Sequence, residues 1–181
     1  MYSALVSLSG LFTGMSSLLL ANGLFGTLTT LRMSLADFNP TTIGIVVSCH
    51  SIGFALGCLK SQALIGKIGH IRTFAATAAI IAVCTLLLPM HVHWASWIPL
   101  RLVIGFASAI VFTVSDSWIA GSVPKESKGR IFSIYMVLNK GSFGLGQLLL
   151  LTGDPAGDRL FILAAILYTA SLIPIALAPA S

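Results

Sequence analysis

The sequence predicts an all-α integral membrane protein of about six transmembrane helices. Two observations carry this. Hydrophobic residues make up 56% of the 181 residues and charged residues only 8%, against roughly a quarter charged in ordinary soluble domains. The apolar residues also fall in long runs divided by short polar turns, and about 20 apolar residues suffice to cross a bilayer. Six such spans use up residues 1–181 as a single transmembrane domain, with no length left for a soluble one.

The first helix is expected over residues 4–30. Asn39-Pro40-Thr41 opens the second, 41–62, because proline suits a first turn whose N–H groups have no helical partner. Gly66 to Arg72 reads as a basic, glycine-broken turn. The third helix, 73–88, is expected to stop at Pro89. His91, His93, Trp94 and Trp97 follow as an interfacial loop, with tryptophans where headgroups meet the apolar core. The fourth helix is expected over 99–121, a turn over 124–129, the fifth helix over 130–152, a turn over 153–158 and the sixth helix over 159–177. Gly10/Gly14 and Gly53/Gly57 have the small-xxx-small spacing that lets spanning helices approach closely, and Gly105 and Gly144 are further candidates for packing.

Lysine and arginine set the orientation. Lys60, Lys67 and Arg72 flank the turn between the second and third helices, and Lys125, Lys128 and Arg130 flank that between the fourth and fifth. The opposite side holds Arg32 and Arg159. This bias puts the two basic turns and both termini in the cytoplasm, with the chain in the inner membrane. The net charge of +5 does not mark a nucleic-acid partner, since the basic residues are scattered between apolar runs and form no basic face on a soluble module. Cys49, Cys58 and Cys84 have no metal-ligand spacing and read as small buried residues, so no metal or cofactor is expected.

Arg101, Asp116 and Lys140 stand out as charges at membrane depth, where each costs several kcal/mol unless paired or hydrated. Asp116 is about 8 Å inside the cytoplasmic end of the fourth helix, and Lys140 about 16 Å up the fifth. Arg101 is near the outer end of the fourth. Arg101, Gly105, Ser108, Ser115 and Asp116 share one helical side, as do Ser133, Lys140, Gly144 and Gln147. Two such stripes on neighbouring helices point to a shared wet cavity in which Asp116 and Lys140 are close enough to pair. The plainer alternatives are snorkelling of Arg101 to the headgroups, solvation of Asp116 from the helix end and a structural ion pair for Lys140. His50, on a face with Gly53 and Gly57, reads first as a packing residue and second as a proton relay.

In order along the chain, these landmarks resemble the N-terminal six-helix half of a major facilitator superfamily transporter. Lys67-x-Gly69-His70-x-Arg72 resembles the end of the superfamily's gating-loop signature, with Gly66 in place of the acid. Arg101-Leu-Val-Ile-Gly105 resembles the RxxxG pattern whose arginine is linked with proton coupling in relatives. Asp116-Ser117-Trp118 and Gly146-Gln147 resemble elements of a bacterial branch. The resemblance implies a 3+3 inverted repeat. It also implies that the first and fourth helices line a central cavity, with the second and fifth beside it and the third and sixth toward lipid. Arg101, Asp116, Lys140, Gln147 and His50 become the substrate and coupling candidates.

The function so implied is secondary transport of a small solute by alternating access, with proton coupling, as one of two paired halves. Two cations on the cavity mildly favour an anionic solute. A non-transporting membrane subunit or a truncated remnant of a 12-helix transporter is the alternative. Enzyme signatures are absent: no HExxH occurs, and no histidine follows His93 to serve an intramembrane serine protease.

The basic asymmetry makes a direct prediction. In a cysteine-free background, a cysteine at position 127 should react with a membrane-impermeant thiol reagent only from the cytoplasmic side. Labelling only from outside would invert the topology.

Overall fold

The computed structural model describes residues 2–177, with side chains from Leu8 onward. Ala178-Pro179-Ala180-Ser181, after the expected sixth helix, lies outside the described residues. Six helices are long and apolar enough to cross a membrane, and no strand occurs among the described residues.

Helix α1 (Tyr2–Leu35) runs five residues past its expected end. Within it the Thr29 hydroxyl donates to the Phe25 carbonyl (2.9 Å), which satisfies the hydroxyl without water. The helix stops where Asp37 takes a positive φ of 57° and the Phe38 N–H returns to Met33 O. Helix α2 (Pro40–Ile68) starts as its sequence dictates, with Asn39 Oδ1 accepting from the Thr42 N–H at 2.8 Å. It ends at Gly69, whose φ of 81° and ψ of 168° are accessible almost only to glycine. Helix α3 (His70–Met90) begins at the next residue, so the expected seven-residue turn contracts to Gly69 alone.

Neither Pro89 nor Pro99 bounds a helix as expected. Helix α3 passes through Pro89, and α4 (Trp94–Ser122) begins five residues before Pro99. Proline removes a single helical bond at each place, and the intervening chain is held by side chains. The Trp97 indole N–H is shared between Leu88 O (3.0 Å), in the last turn of α3, and His91 O (3.2 Å), which also accepts from the His93 N–H. His93 Nδ1 accepts from the Ala95 N–H to cap α4. A 3-10 turn at Lys125–Ser127 leads into α5 (Lys128–Leu148), which relaxes into a 3-10 stretch at Leu149–Thr152. The sixth span divides at Ser171 into α6 (Arg159–Ala170) and α7 (Leu172–Ala176). Pro174 has no N–H to offer Ala170 O, and Ser171 Oγ donates to Tyr168 O at 2.6 Å.

The helices pair as α2 on α4, α1 on α5, α3 on α4, α6 on α1 and α3 on α6. Exchanging the first span with the fourth, the second with the fifth and the third with the sixth leaves this pattern unchanged, as a 3+3 repeat requires. The exchange extends to single residues. In one pair, Gly53 of α2 faces Leu102 O and Gly105 of α4 faces His50 O. In the other, Gly146 of α5 faces Leu20 O and Gly23 of α1 faces Phe143 O. In every case the accepting carbonyl lies three residues before the partner's own glycine. Gly57 deepens the first pair against Phe106 O. Gly144 departs from its expected packing role: it stands in open space, and Gly146 takes that role two residues later.

Most of the buried apolar mass comes from α1, α3, α4 and the sixth span, with Leu18, Phe25, Phe74, Trp97 and Phe161 at its centre. Helices α2 and α5 bury little beyond their glycine seams and flank the bundle.

This geometry separates two neighbouring glycines by experiment. Gly146→Ala places a methyl against the Leu20 carbonyl and should cost about 1–3 kcal/mol, the usual range for overpacking. Gly144→Ala should be neutral or stabilise by up to ~1 kcal/mol, since alanine is the better helix former. Thermal unfolding of both variants in mild detergent checks the contrast.

Candidate functional site

Along α5, Tyr135, Asn139 and Phe143 recur every four residues, with Met136 and Lys140 beside them on the same side. On α4, Phe112 and Asp116 are one turn apart. These side chains and Leu19 of α1 enclose a cavity of about 310 Å³. Asp116 lies six residues before the end of α4 and Lys140 twelve after the start of α5, depths of about 9 and 18 Å. Both line the cavity, yet no ion pair joins them. The pairing that their spacing allowed is therefore not made.

Tyr135 is the most constrained member. Its ring stacks on Phe12 with centroids 5.9 Å apart and meets Phe132 edge-on at 6.2 Å. It is 2% exposed. Its hydroxyl sits beside Asp116, Asn139 and Ser115 without closing a hydrogen bond to any of them. Ser115 is turned away, donating to Val111 O at 2.9 Å and contacting Met15 Sδ.

Arg101 is elsewhere, contrary to the expected common stripe. Because α4 starts at Trp94, Arg101 lies two turns inside the helix, too deep for the snorkelling alternative. It is 5% exposed, with its guanidinium carbon 5.3 Å from the centroid of the Phe25 ring. Cys49, His50 and Tyr168 are its electrostatic neighbours, and Tyr168 donates its hydroxyl to Asn22 Oδ1 at 2.9 Å. Arg101 Nε and His50 Nδ1 make no hydrogen bond. The face of α4 that holds Arg101, Gly105 and Asp116 is continuous, but its neighbours change along it. Near Gly105 it is closed by the α2 backbone, and near Asp116 it opens toward α5.

The remaining candidates are dispersed. Gln147 lines a separate, wider cavity of about 600 Å³ with Gly26, Thr30 and Ser34, and Phe143 forms a wall common to both. Ser133 points outward and bonds back to Gly129 O. In the basic turn, His70 Nε2 and Ser117 Oγ share a hydrogen bond of 2.9 Å, one residue from Asp116, and the His70 ring lies 6.2 Å from Trp118. Lys67 and Arg72 are exposed on either side of Gly69. Phe112, Tyr135 and Asn139 escape a reading focused on charge, although the four-residue spacing of Tyr135, Asn139 and Phe143 was available.

A bundle of six spans with this inverted symmetry and polar groups on one inner wall defines a multi-pass α-helical membrane protein. The sequence matches the Major Facilitator Superfamily over residues 4–180, and the chain belongs to that superfamily. It is similar to proteins named uncharacterized MFS-type transporter YcaD from Salmonella newport (strain SL254), Salmonella heidelberg (strain SL476) and Salmonella typhi. Each is 29% identical over 153 residues, covering 84% of this chain and 40% of the relative. The chain thus spans about two-fifths of the length of these relatives, in keeping with the N-terminal six-helix half that the motifs resemble.

The sealed arginine gives a prediction of its own. In a double-mutant cycle, Arg101→Met and Phe25→Leu should be non-additive by about 0.5–2 kcal/mol, the range for a desolvated cation over a ring. Unfolding in detergent measures this, and strict additivity would remove the interaction.

Proposed function

We propose that this chain forms one half of a secondary transporter that moves a small solute by alternating access, with protons as the coupling ion. The observation carrying this reading is the placement of Asp116 and Lys140, unpaired, on one cavity at membrane depth. Charges in that position are costly and persist where they face water, ligand or ions. Membership in the superfamily, and similarity to relatives that bear the name transporter, support transport over enzymatic chemistry.

A second six-helix half would complete the cavity. Helices α2 and α5 present exposed apolar residues on the flanks, among them Ile52, Leu56 and Leu59 on α2 and Val137, Leu145 and Leu148 on α5. In the superfamily the two halves are related by an axis along the membrane normal, with the substrate between them. The second half is another copy of this chain, a separately made partner or the remainder of a longer protein. The basic turns at Lys67–Arg72 and Lys125–Arg130 would lie on the cytoplasmic side of the inner membrane. There the bond from His70 to Ser117 would tie the gating loop to the helix that carries Asp116.

Coupling falls to Asp116, which is positioned to exchange a proton with water in the cavity, and His50 beside Arg101 is a second candidate relay. The test is uptake of a panel of labelled small solutes into proteoliposomes holding the chain alone or with a second half. Paired protein should give uptake that follows an imposed pH gradient, and Asp116→Asn should uncouple it. Uptake by a stable monomer would refute the paired arrangement, and uptake indifferent to the gradient would refute proton coupling.

A further inference from the structure

We infer that the cavity between α1, α4 and α5 selects a small zwitterion, a solute of the amino-acid class that carries an ammonium, a carboxylate and an apolar side group. This deepens the transport reading and rests on it for the site's purpose, but the binding it claims is separable from transport.

Two cations and one acid on the cavity would favour an anion, but Arg101 is sealed against Phe25 and does not line it. What remains is one carboxylate, Asp116, and one ammonium, Lys140. A solute with a single negative charge would satisfy Lys140 and leave Asp116 facing a like charge, and a cationic solute would do the reverse. Only a ligand with both signs leaves neither side chain unmatched, and like-charge juxtaposition is what rejects the others.

Geometry keeps the two charges available. Their depths differ by about 9 Å and no ion pair joins them, so both charges are open to a ligand. Tyr135 stands on the same wall. Its hydroxyl is buried and unbonded, and its ring is held by Phe12 and Phe132. A buried hydroxyl left unsatisfied is costly, and a ligand carboxylate or ammonium would satisfy it. Asn139, one turn further along α5, offers an amide on the same face. Phe112 and Phe143 supply apolar walls for the side group. The volume of about 310 Å³ is at the lower end of the ~300–1,000 Å³ typical of small-molecule sites, which suits a single amino-acid-sized solute.

Three probes with one skeleton test this: phenylalanine, 3-phenylpropionate, which lacks the ammonium, and 2-phenylethylamine, which lacks the carboxylate. Binding is followed by intrinsic fluorescence and thermal shift on the full chain in nanodiscs, with its second half where the protein is isolated as a pair. Phenylalanine should bind about tenfold or more tightly than either analogue, the loss expected when one charge-assisted hydrogen bond is unmade. Asp116→Asn should move the preference toward 3-phenylpropionate, and Lys140→Gln toward 2-phenylethylamine. Equal binding of all three probes, preference for a singly charged one, or binding of none would overturn the inference. The comparison on the unaltered protein decides the matter if a variant fails to fold. Phenylalanine bound but not carried into proteoliposomes would remove the transport reading and leave the zwitterion site. Uptake of singly charged solutes alone would do the opposite.

Discussion

The contact on which the rest depends is the reciprocal seating of glycine against carbonyl in two helix pairs. Lipid tails are as apolar as leucine side chains, so helices in a bilayer associate through close backbone packing more than through burial of apolar area. Gly53 and Gly105 provide it for α2 and α4, and Gly23 and Gly146 for α1 and α5. A Cβ at any of these positions would meet backbone, which cannot rotate away. The matching three-residue offsets mean that the two halves of the repeat use one device twice. Because α5 is held to α1 by this seam, its Tyr135–Phe143 face is turned toward Asp116 on α4.

The same packing decides the fate of each intramembrane charge. Arg101 lies where α4 is closed by α2, and its compensation is the face of Phe25, with Tyr168 and His50 nearby. Asp116 and Lys140 lie where the bundle opens, and they keep access to whatever enters the cavity. One cation is thus buried inside the helical bundle against an aromatic ring. The other, with the acid, defines a polar wall. The division follows from how far along α4 each residue sits, since their helical phase is similar.

Six spans were legible because length, composition and turn chemistry all act locally. Asn39-Pro40 specified the start of α2 through its cap, and Gly69 marked the next break through its backbone conformation. Helical phase alone could not say which neighbour covers which stretch of α4, so Arg101 was grouped with Asp116. Nor could it separate Gly144 from Gly146, whose directions differ by roughly 200° around α5 at 3.6 residues per turn. Pro89 and Pro99 misled as helix boundaries because Trp97, reaching from the first turn of α4 to the end of α3, and His93, capping α4, hold the intervening chain. Tyr135 and Asn139 were hidden by their chemistry: uncharged, they draw no notice until the fold sets them beside Asp116 and Lys140.

The polar cavity bounded by α1, α4 and α5 should be open to water at membrane depth. Reaction of single cysteines with a charged, water-soluble thiol reagent tests it most directly, using Asp116→Cys, Lys140→Cys and, on the outward apolar face of α6, Ile166→Cys. Cysteines at 116 and 140 should react rapidly and the one at 166 should not. Resistance at 140 equal to that at 166 would place Lys140 in lipid and leave no water-filled cavity there.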